Sequence, residues 1–156
     1  MSLRDRLVET ALAWQDRYGV APSITTAISE YDAAVTLVGM SEDAFRQSQL
    51  KATAVQQGYD FTRDGVRYQI KANRPSGRPG SKVTLCAKAR NYDWDYLIWI
   101  LYDREYRIQE AWEWPVADYM AAFDHVTRLS PSHMRLGKSS WNDLAHQREV
   151  RAPRRE

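Results

Sequence analysis

Asp60, Gln69 and Lys71 are the residues whose types and spacing could do chemistry together. They lie in Asp60-Phe-Thr-Arg-Asp-Gly-Val-Arg-Tyr-Gln-Ile-Lys71, two short β-like runs around a tight turn. Asp64-Gly65 is the turn signal, because glycine accepts the positive φ that a hairpin needs. On the return run Val66, Tyr68 and Ile70 alternate with Arg67, Gln69 and Lys71, so Gln69 and Lys71 emerge on one polar face. Asp60, at the start of the outgoing run, can meet them across the hairpin. The cluster offers an oxygen ligand for a hard cation, an amide, and an ammonium for a phosphate or a nucleophile.

Other chemistries lack their signatures. His125, His133 and His146 show no HExxH or HxxxH spacing, and the single cysteine, Cys86, cannot build a usual structural zinc site. Pro75-Ser-Gly-Arg-Pro-Gly-Ser81 lacks the Gly-Lys-Ser/Thr of a phosphate-binding loop, and no GxGxxG or nucleophile-elbow pattern occurs.

The elements that must position the cluster follow from periodicity. Residues 2–18 predict an amphipathic helix, with Leu3, Leu7, Val8, Ala11, Leu12 and Tyr18 on one side. Ser23 is an expected N-cap for a second helix, with Ile24, Ala27, Ile28, Tyr31, Ala34, Val35 and Val38 as its stripe and Gly39 closing it. Glu30 stands on that helix beside the stripe, where a surface glutamate is the ordinary outcome. Ser41 caps a further turn or two, and residues 50–57 show no clear period.

Beyond Lys71, residues 75–81 form a loop of prolines and glycines carrying Arg78, with Arg74 just before it. Residues 82–87 predict a strand or a strand-to-helix transition. Tyr96-Leu-Ile-Trp-Ile-Leu-Tyr102, continuously apolar and rich in aromatic and β-branched residues, predicts a central strand covered on both faces. Residues 106–114 predict its antiparallel partner, with Tyr106, Ile108, Trp112 and Trp114 on one side. That aromatic stripe is expected in the core, although it could stack bases or form a dimer surface. Pro115 can open another helix with Val116, Tyr119, Met120 and Phe123 as its apolar face. Ser130-Pro-Ser-His-Met134 predicts a capped turn, and a small helix follows through Leu144.

The hairpin resembles the PD-(D/E)xK restriction-endonuclease-like nucleases, where an Asp opens one strand and (D/E)-x-K lies on the next. Here the motif reads Asp60…Gln69-Ile70-Lys71, nearer the Q-x-K variants. Tyr68-Gln-Ile-Lys-Ala-Asn-Arg-Pro75, Tyr92-Asp-Trp-Asp-Tyr-Leu-Ile-Trp99 and Glu110-Ala-Trp-Glu-Trp114 are similar to a small group of bacterial and phage proteins placed in that superfamily. The resemblance spans roughly residues 23–125. It implies an α/β (α+β) fold: a restriction-endonuclease-like core with a mixed sheet flanked by helices. It implies a DNA endonuclease in which Mg²⁺, or Mn²⁺, is held chiefly by Asp60, with Glu30 in support and Gln69 on the metal or its water. Lys71 would orient or activate the water and contact the phosphate. An amide binds a hard dication less strongly than a carboxylate, so Gln69 departs from the family pattern in a way that bears on activity.

Bulk properties accommodate this reading. At 156 residues, 44% hydrophobic and 27% charged, one domain over residues 1–146 is expected, with 1–22 as a helical preface and 147–156 as a basic, mobile tail. One cysteine, no signal-like start and no apolar run near ~18 residues predict a cytoplasmic protein without a membrane partner. Net charge is only +2, but residues 66–90 carry Arg67, Lys71, Arg74, Arg78, Lys82, Lys88 and Arg90 with no acid. Such a block suits a phosphate backbone, with Arg67, Arg74, Arg78 and Lys82 as the expected nucleic-acid contacts; a solvated basic rim is the plain alternative. Three function classes remain: a DNA endonuclease, with RNA as the other substrate; a non-cleaving nucleic-acid-binding module on the same fold; and an interaction protein using its Trp/Tyr strand as a homodimer surface.

Overall fold

A computed structural model describes residues 1–52 and 58–141. Helix α1 (Leu3–Tyr18) is followed by α2 (Thr25–Tyr31), which runs directly into a π-helical segment (Asp32–Leu37), and by α3 (Glu42–Lys51). Strands β1 (Phe61–Arg63), β2 (Val66–Asn73), β3 (Tyr96–Tyr102) and β4 (Ile108–Pro115) come next. They are followed by α4 (Val116–Phe123), the short α5 (Pro131–Met134) and β5 (Lys138–Ser139). The sheet order is β1-β2-β3-β4-β5; β2 and β3 run parallel and every other pair is antiparallel. The α/β class expected from the sequence, a mixed sheet flanked by helices, is the one the chain adopts.

Strand β3 lies at the centre and is covered on both sides. On one face Ile98, Ile100 and Tyr102 pack with Phe61, Ile70 and Ala111 against Val8 of α1, Ile28 of α2 and Ala33 and Ala34 of the π segment. On the other face Leu97, Trp99 and Trp114 pack with Tyr119 and Phe123 of α4, Met134 of α5, and Trp94 and Cys86 of the β2–β3 crossover. A parallel pair needs a crossover, usually helical. Here residues 74–95 make it without a helix, and their one ladder contact is an isolated bridge from Cys86 to Leu129. The strand or transition expected at residues 82–87 is therefore reduced to that bridge.

Further expectations are corrected. On α1 only Val8 and Ala11 are buried and Leu12 partly so, while Leu3, Leu7 and Tyr18 face solvent. The reason is polar: Arg4 and Gln15 bolt the helix down and fix its rotation, as described below. The second helix begins at Thr25 behind Ile24, which makes no side-chain cap bond, so Ser23 is not its N-cap. The stripe of Tyr106, Ile108, Trp112 and Trp114 is split between the two cores, because the β3–β4 register shifts between Leu101 and Tyr102. One extra residue in a ladder turns the following side chains to the opposite face. Pro115 precedes α4 instead of occupying its first turn. Of the small helix expected through Leu144, residues 135–140 instead form a turn and then β5, which pairs with β4, while residues 142–144, the domain end at residue 146 and the 147–156 tail lie outside the described residues.

Helix α1 is tied to the sheet by a buried polar group of the π segment. Asp32 accepts from Arg4 Nε at 3.0 Å and Nη2 at 2.8 Å, and from the Tyr102 hydroxyl at 2.7 Å. Arg4 Nη2 also donates to the Tyr106 carbonyl. Burial, followed by the Asp32 charge, pushes the Tyr102 hydroxyl's pKa upward. A second tie joins α1 to the crossover: Gln15 Nε2 donates to the Ser76 carbonyl at 2.8 Å, and Arg74 Nη2 donates to Gln15 Oε1 at 2.7 Å.

Candidate active site

The site grows out of a mismatch in strand length. Asp64 and Gly65 both adopt positive φ, +50° and +79°, which twists the hairpin tightly and sets Phe61 opposite Tyr68. Strand β1 has three residues and β2 has eight. Beyond Tyr68, β2 therefore outruns its partner and leaves an unpaired outer edge. Asp60, immediately before β1, closes it. Its backbone N–H donates to the Tyr68 carbonyl at 2.7 Å. Its carboxylate Oδ2 accepts from the Ile70 N–H at 2.7 Å and from Gln69 Nε2 at 3.1 Å.

Glu30 approaches the same carboxylate from α2, the helix packed against β2, closely enough for each carboxyl to act on the other's protonation. Both are partly buried. Burial first, then the neighbouring Asp60 carboxylate, pushes the Glu30 pKa up to about 7. Burial also raises Asp60, against the opposing pull of the Ile70 N–H, the Lys71 charge and the Glu30 carboxyl. Lys71 leaves β2 on the same face as Gln69 and makes no hydrogen bond or ion pair among the described residues. The Asp60 carboxylate feels its charge. Asp60 thus stands at the strand edge between Glu30, from the helix packed on the Ile70 face of β2, and Gln69 and Lys71, which leave the opposite face.

Gln49 belongs to this group, and sequence reasoning missed it. Its Nε2 donates to the Asp60 carbonyl at 3.1 Å, bracing the residue from α3. The only signal available was a polar residue near the end of a Ser41-capped helix, which does not single it out.

The four arginine and lysine positions expected to contact nucleic acid part company. Arg67 is committed to Asp95, through Nη2 at 3.1 Å and Nε at 3.3 Å, with its own N–H on the same carboxylate at 2.8 Å. Arg74 donates to the Arg104 carbonyl and Gln15, and its guanidinium lies 4.6 Å over the Tyr106 ring. Both residues hold the fold together where they stand. Arg78 and Lys82 are exposed, and their side chains make no hydrogen bond or ion pair among the described residues.

No family model matches this chain, and no curated protein is similar to it. The site is therefore judged on its own chemistry. Two partly buried carboxyls held this close carry a cost that a proton or a cation relieves. Their oxygens, with the amide oxygen of Gln69 as a third candidate, suit a hard dication. Among the described residues no three His, Cys, Asp or Glu side chains gather around one point, so the carboxylate count is two.

A stability effect follows from the carboxyl pair. Because both pKa values are raised in the folded state, that state binds more protons than the unfolded chain between about pH 4.5 and about pH 7. Stability is greatest on the acid side of this window, falls as pH rises through it, and levels off above it. Discounted for partial solvent access, the loss is ~1–2 kcal/mol. Urea unfolding of wild type and Glu30→Gln across the window checks this: the wild type loses stability relative to the variant as pH rises. A constant difference would show that the two carboxyls do not share protons.

Proposed function

We propose that the protein is a metal-dependent endonuclease of the PD-(D/E)xK type, hydrolysing DNA phosphodiester bonds at Glu30, Asp60, Gln69 and Lys71. The observation that carries the reading is the Asp60 carboxylate, gripped by Ile70 N–H and Gln69 and facing both the Glu30 carboxyl and the Lys71 charge. Asp60 and Glu30 would hold Mg²⁺ or Mn²⁺. When bound, the ion supplies Lewis-acid polarisation of the phosphate and a more acidic water. Lys71, uncommitted and next to the pair, is placed to bind a phosphate oxygen and neutralise charge that grows in the transition state.

Gln69 acts on Asp60. As a hydrogen-bond donor to Oδ2 it fixes the carboxylate's orientation, a different task from the ligand role expected of it. This donation also favours the second reading, a nucleic-acid-binding module without cleavage, because residue 69 then adds no anionic ligand.

Incubation with supercoiled plasmid and with single-stranded DNA or RNA, in Mg²⁺, Mn²⁺ or EDTA, separates the two readings. The endonuclease reading expects product that needs metal and disappears in Lys71→Ala. Salt-sensitive binding with no product from either protein would favour the binding module. Product surviving in Lys71→Ala would remove the site from the hairpin.

A further inference from the structure

We infer that the C-terminal half of α1 is a binding surface for single-stranded nucleic acid, with Trp14 and Tyr18 as a platform for unpaired bases. The inference names the substrate class of the site proposed above and rests on that reading for its place in catalysis, though not for binding.

Six of the ten exposed large hydrophobic residues among the described residues fall within residues 1–20. Trp14 and Tyr18 are 52% and 64% exposed, lie one turn apart on the same side of α1, and pair with ring centroids 4.6 Å apart. Burial does not explain them, since α1 docks through Val8, Ala11, Arg4 and Gln15.

Charge decides what covers this side. Arg17, three residues beyond Trp14, is exposed and makes no ion pair among the described residues. At 100° per residue, Arg6 and Arg17 both border the stripe on the side away from the docked face, whereas Asp5, Glu9 and Asp16 project toward the far side of the helix. Two copies meeting antiparallel along this stripe would bring their arginine edges together, so such a second copy fits poorly. An anion with planar apolar groups fits well, and a nucleic-acid strand with unstacked bases is that chemistry.

The surface is also joined to the candidate active site. Gln15, between the two aromatics in sequence, holds the Ser76 carbonyl. The crossover approaches so closely there that a Cβ on Gly77 would lie 2.6 Å from Gln15 Nε2. The next residue is Arg78, exposed and uncommitted, and the same segment begins just after Lys71 on β2. A strand with bases on the aromatic pair would run its phosphates past Arg17 toward Arg78 and the crossover that leads out of β2.

Fluorescence anisotropy with fluorescein-labelled oligothymidylate, in EDTA and on the Lys71→Ala background, measures binding apart from cleavage. Trp14→Ala with Tyr18→Ala is expected to weaken binding on the order of a hundredfold, at base–aromatic stacking of ~1–3 kcal/mol per base. Phe at both positions restores most of it. Arg17→Gln and Arg78→Gln each lower the slope of log affinity against log salt by ~0.7, one phosphate apiece. Leu3→Ser with Leu7→Ser, on the same side of α1, leaves binding unchanged. Circular dichroism melts establish that each variant is folded.

Binding that ignores the aromatic pair would overturn the inference, as would equal affinity and equal aromatic dependence on duplex DNA. So would a wild-type dimer in sedimentation that the Trp14/Tyr18 variant dissociates, since the stripe would then be a protein contact. Aromatic-dependent binding by a wild-type protein that never cleaves would sink the endonuclease reading and leave this surface standing.

Discussion

Asp60→Asn is expected to lower metal-dependent cleavage by about a thousandfold or more, while leaving the protein at least as stable as wild type at neutral pH. The first half follows from losing the carboxylate that would hold the cation, a change costing several kcal/mol of charge stabilisation. The second half is what distinguishes a site from a structural carboxylate. Asparagine keeps an oxygen for the Ile70 N–H, so the edge of β2 stays capped. It also removes the charge that, after burial, raises Glu30. Activity lost with stability kept is the pattern that the proposed site requires. Plasmid cleavage and thermal unfolding of the same preparation check both halves together. A variant that unfolds readily, or one that still cuts, would return Asp60 to an architectural role.

Asp32 has the opposite character. Its side chain is 4% exposed, and it carries two bonds from Arg4 and one from the Tyr102 hydroxyl. Asp32→Ala leaves the Arg4 guanidinium against the sheet with only the exposed Asp5 carboxylate, 3.4 Å from Nη1, as counter-charge, and leaves the Tyr102 hydroxyl unpaired. The expected cost is about 3–5 kcal/mol, the usual result of removing one partner from a buried pair. Replacing both charges, as Arg4→Met with Asp32→Leu, should recover much of that loss, because the desolvation penalty disappears with them. Urea midpoints for the single and double variants measure the difference. A double variant as unstable as the single one would mean that Tyr102 and the Tyr106 carbonyl, not the charge pair, set the cost. Neither variant touches the Asp60 group, so cleavage per folded molecule should be unchanged.

These two acids show how much the sequence discloses. Asp60 is legible because a turn dipeptide fixes a hairpin, and strand alternation then fixes which neighbours share its face. Tyr96–Tyr102 is legible for a similar reason: a buried strand has no polar side to disguise it. Asp32 is not legible, because it lies in an apolar stretch that continues α2 as a π-helical turn, and nothing local foretells Arg4 arriving from α1. That contact also explains the misplaced face of α1. Leu3, Leu7 and Tyr18 occupy helical spacing as well as Val8, Ala11 and Leu12 do, and the choice between the stripes is made by Arg4 and Gln15 through partners distant in the chain. The divided aromatics of β4 have the same origin. Simple alternation puts Tyr106, Ile108, Trp112 and Trp114 on one side, but the register shift beside Leu101 is a property of the pair, visible in neither strand alone. Gln49 reaches Asp60 only because α3 packs beside β1.

The shortness of β1 and β5 has a consequence for how the molecule behaves among its own copies. A sheet that ends on long, regular outer strands offers a template for fibrous growth. This one ends on three residues at one side and two at the other, with Arg63, Asp64 and Lys138 at the margins. Among the described residues the borders beyond these short strands are the start of β4 and the end of β2, and at β2 the Asp60 carboxylate occupies the Ile70 N–H that an intruding strand would seek. The residue proposed as the centre of the site thus also blocks this edge, and a substitution there that cannot accept a hydrogen bond is expected to open a sticky seam between copies.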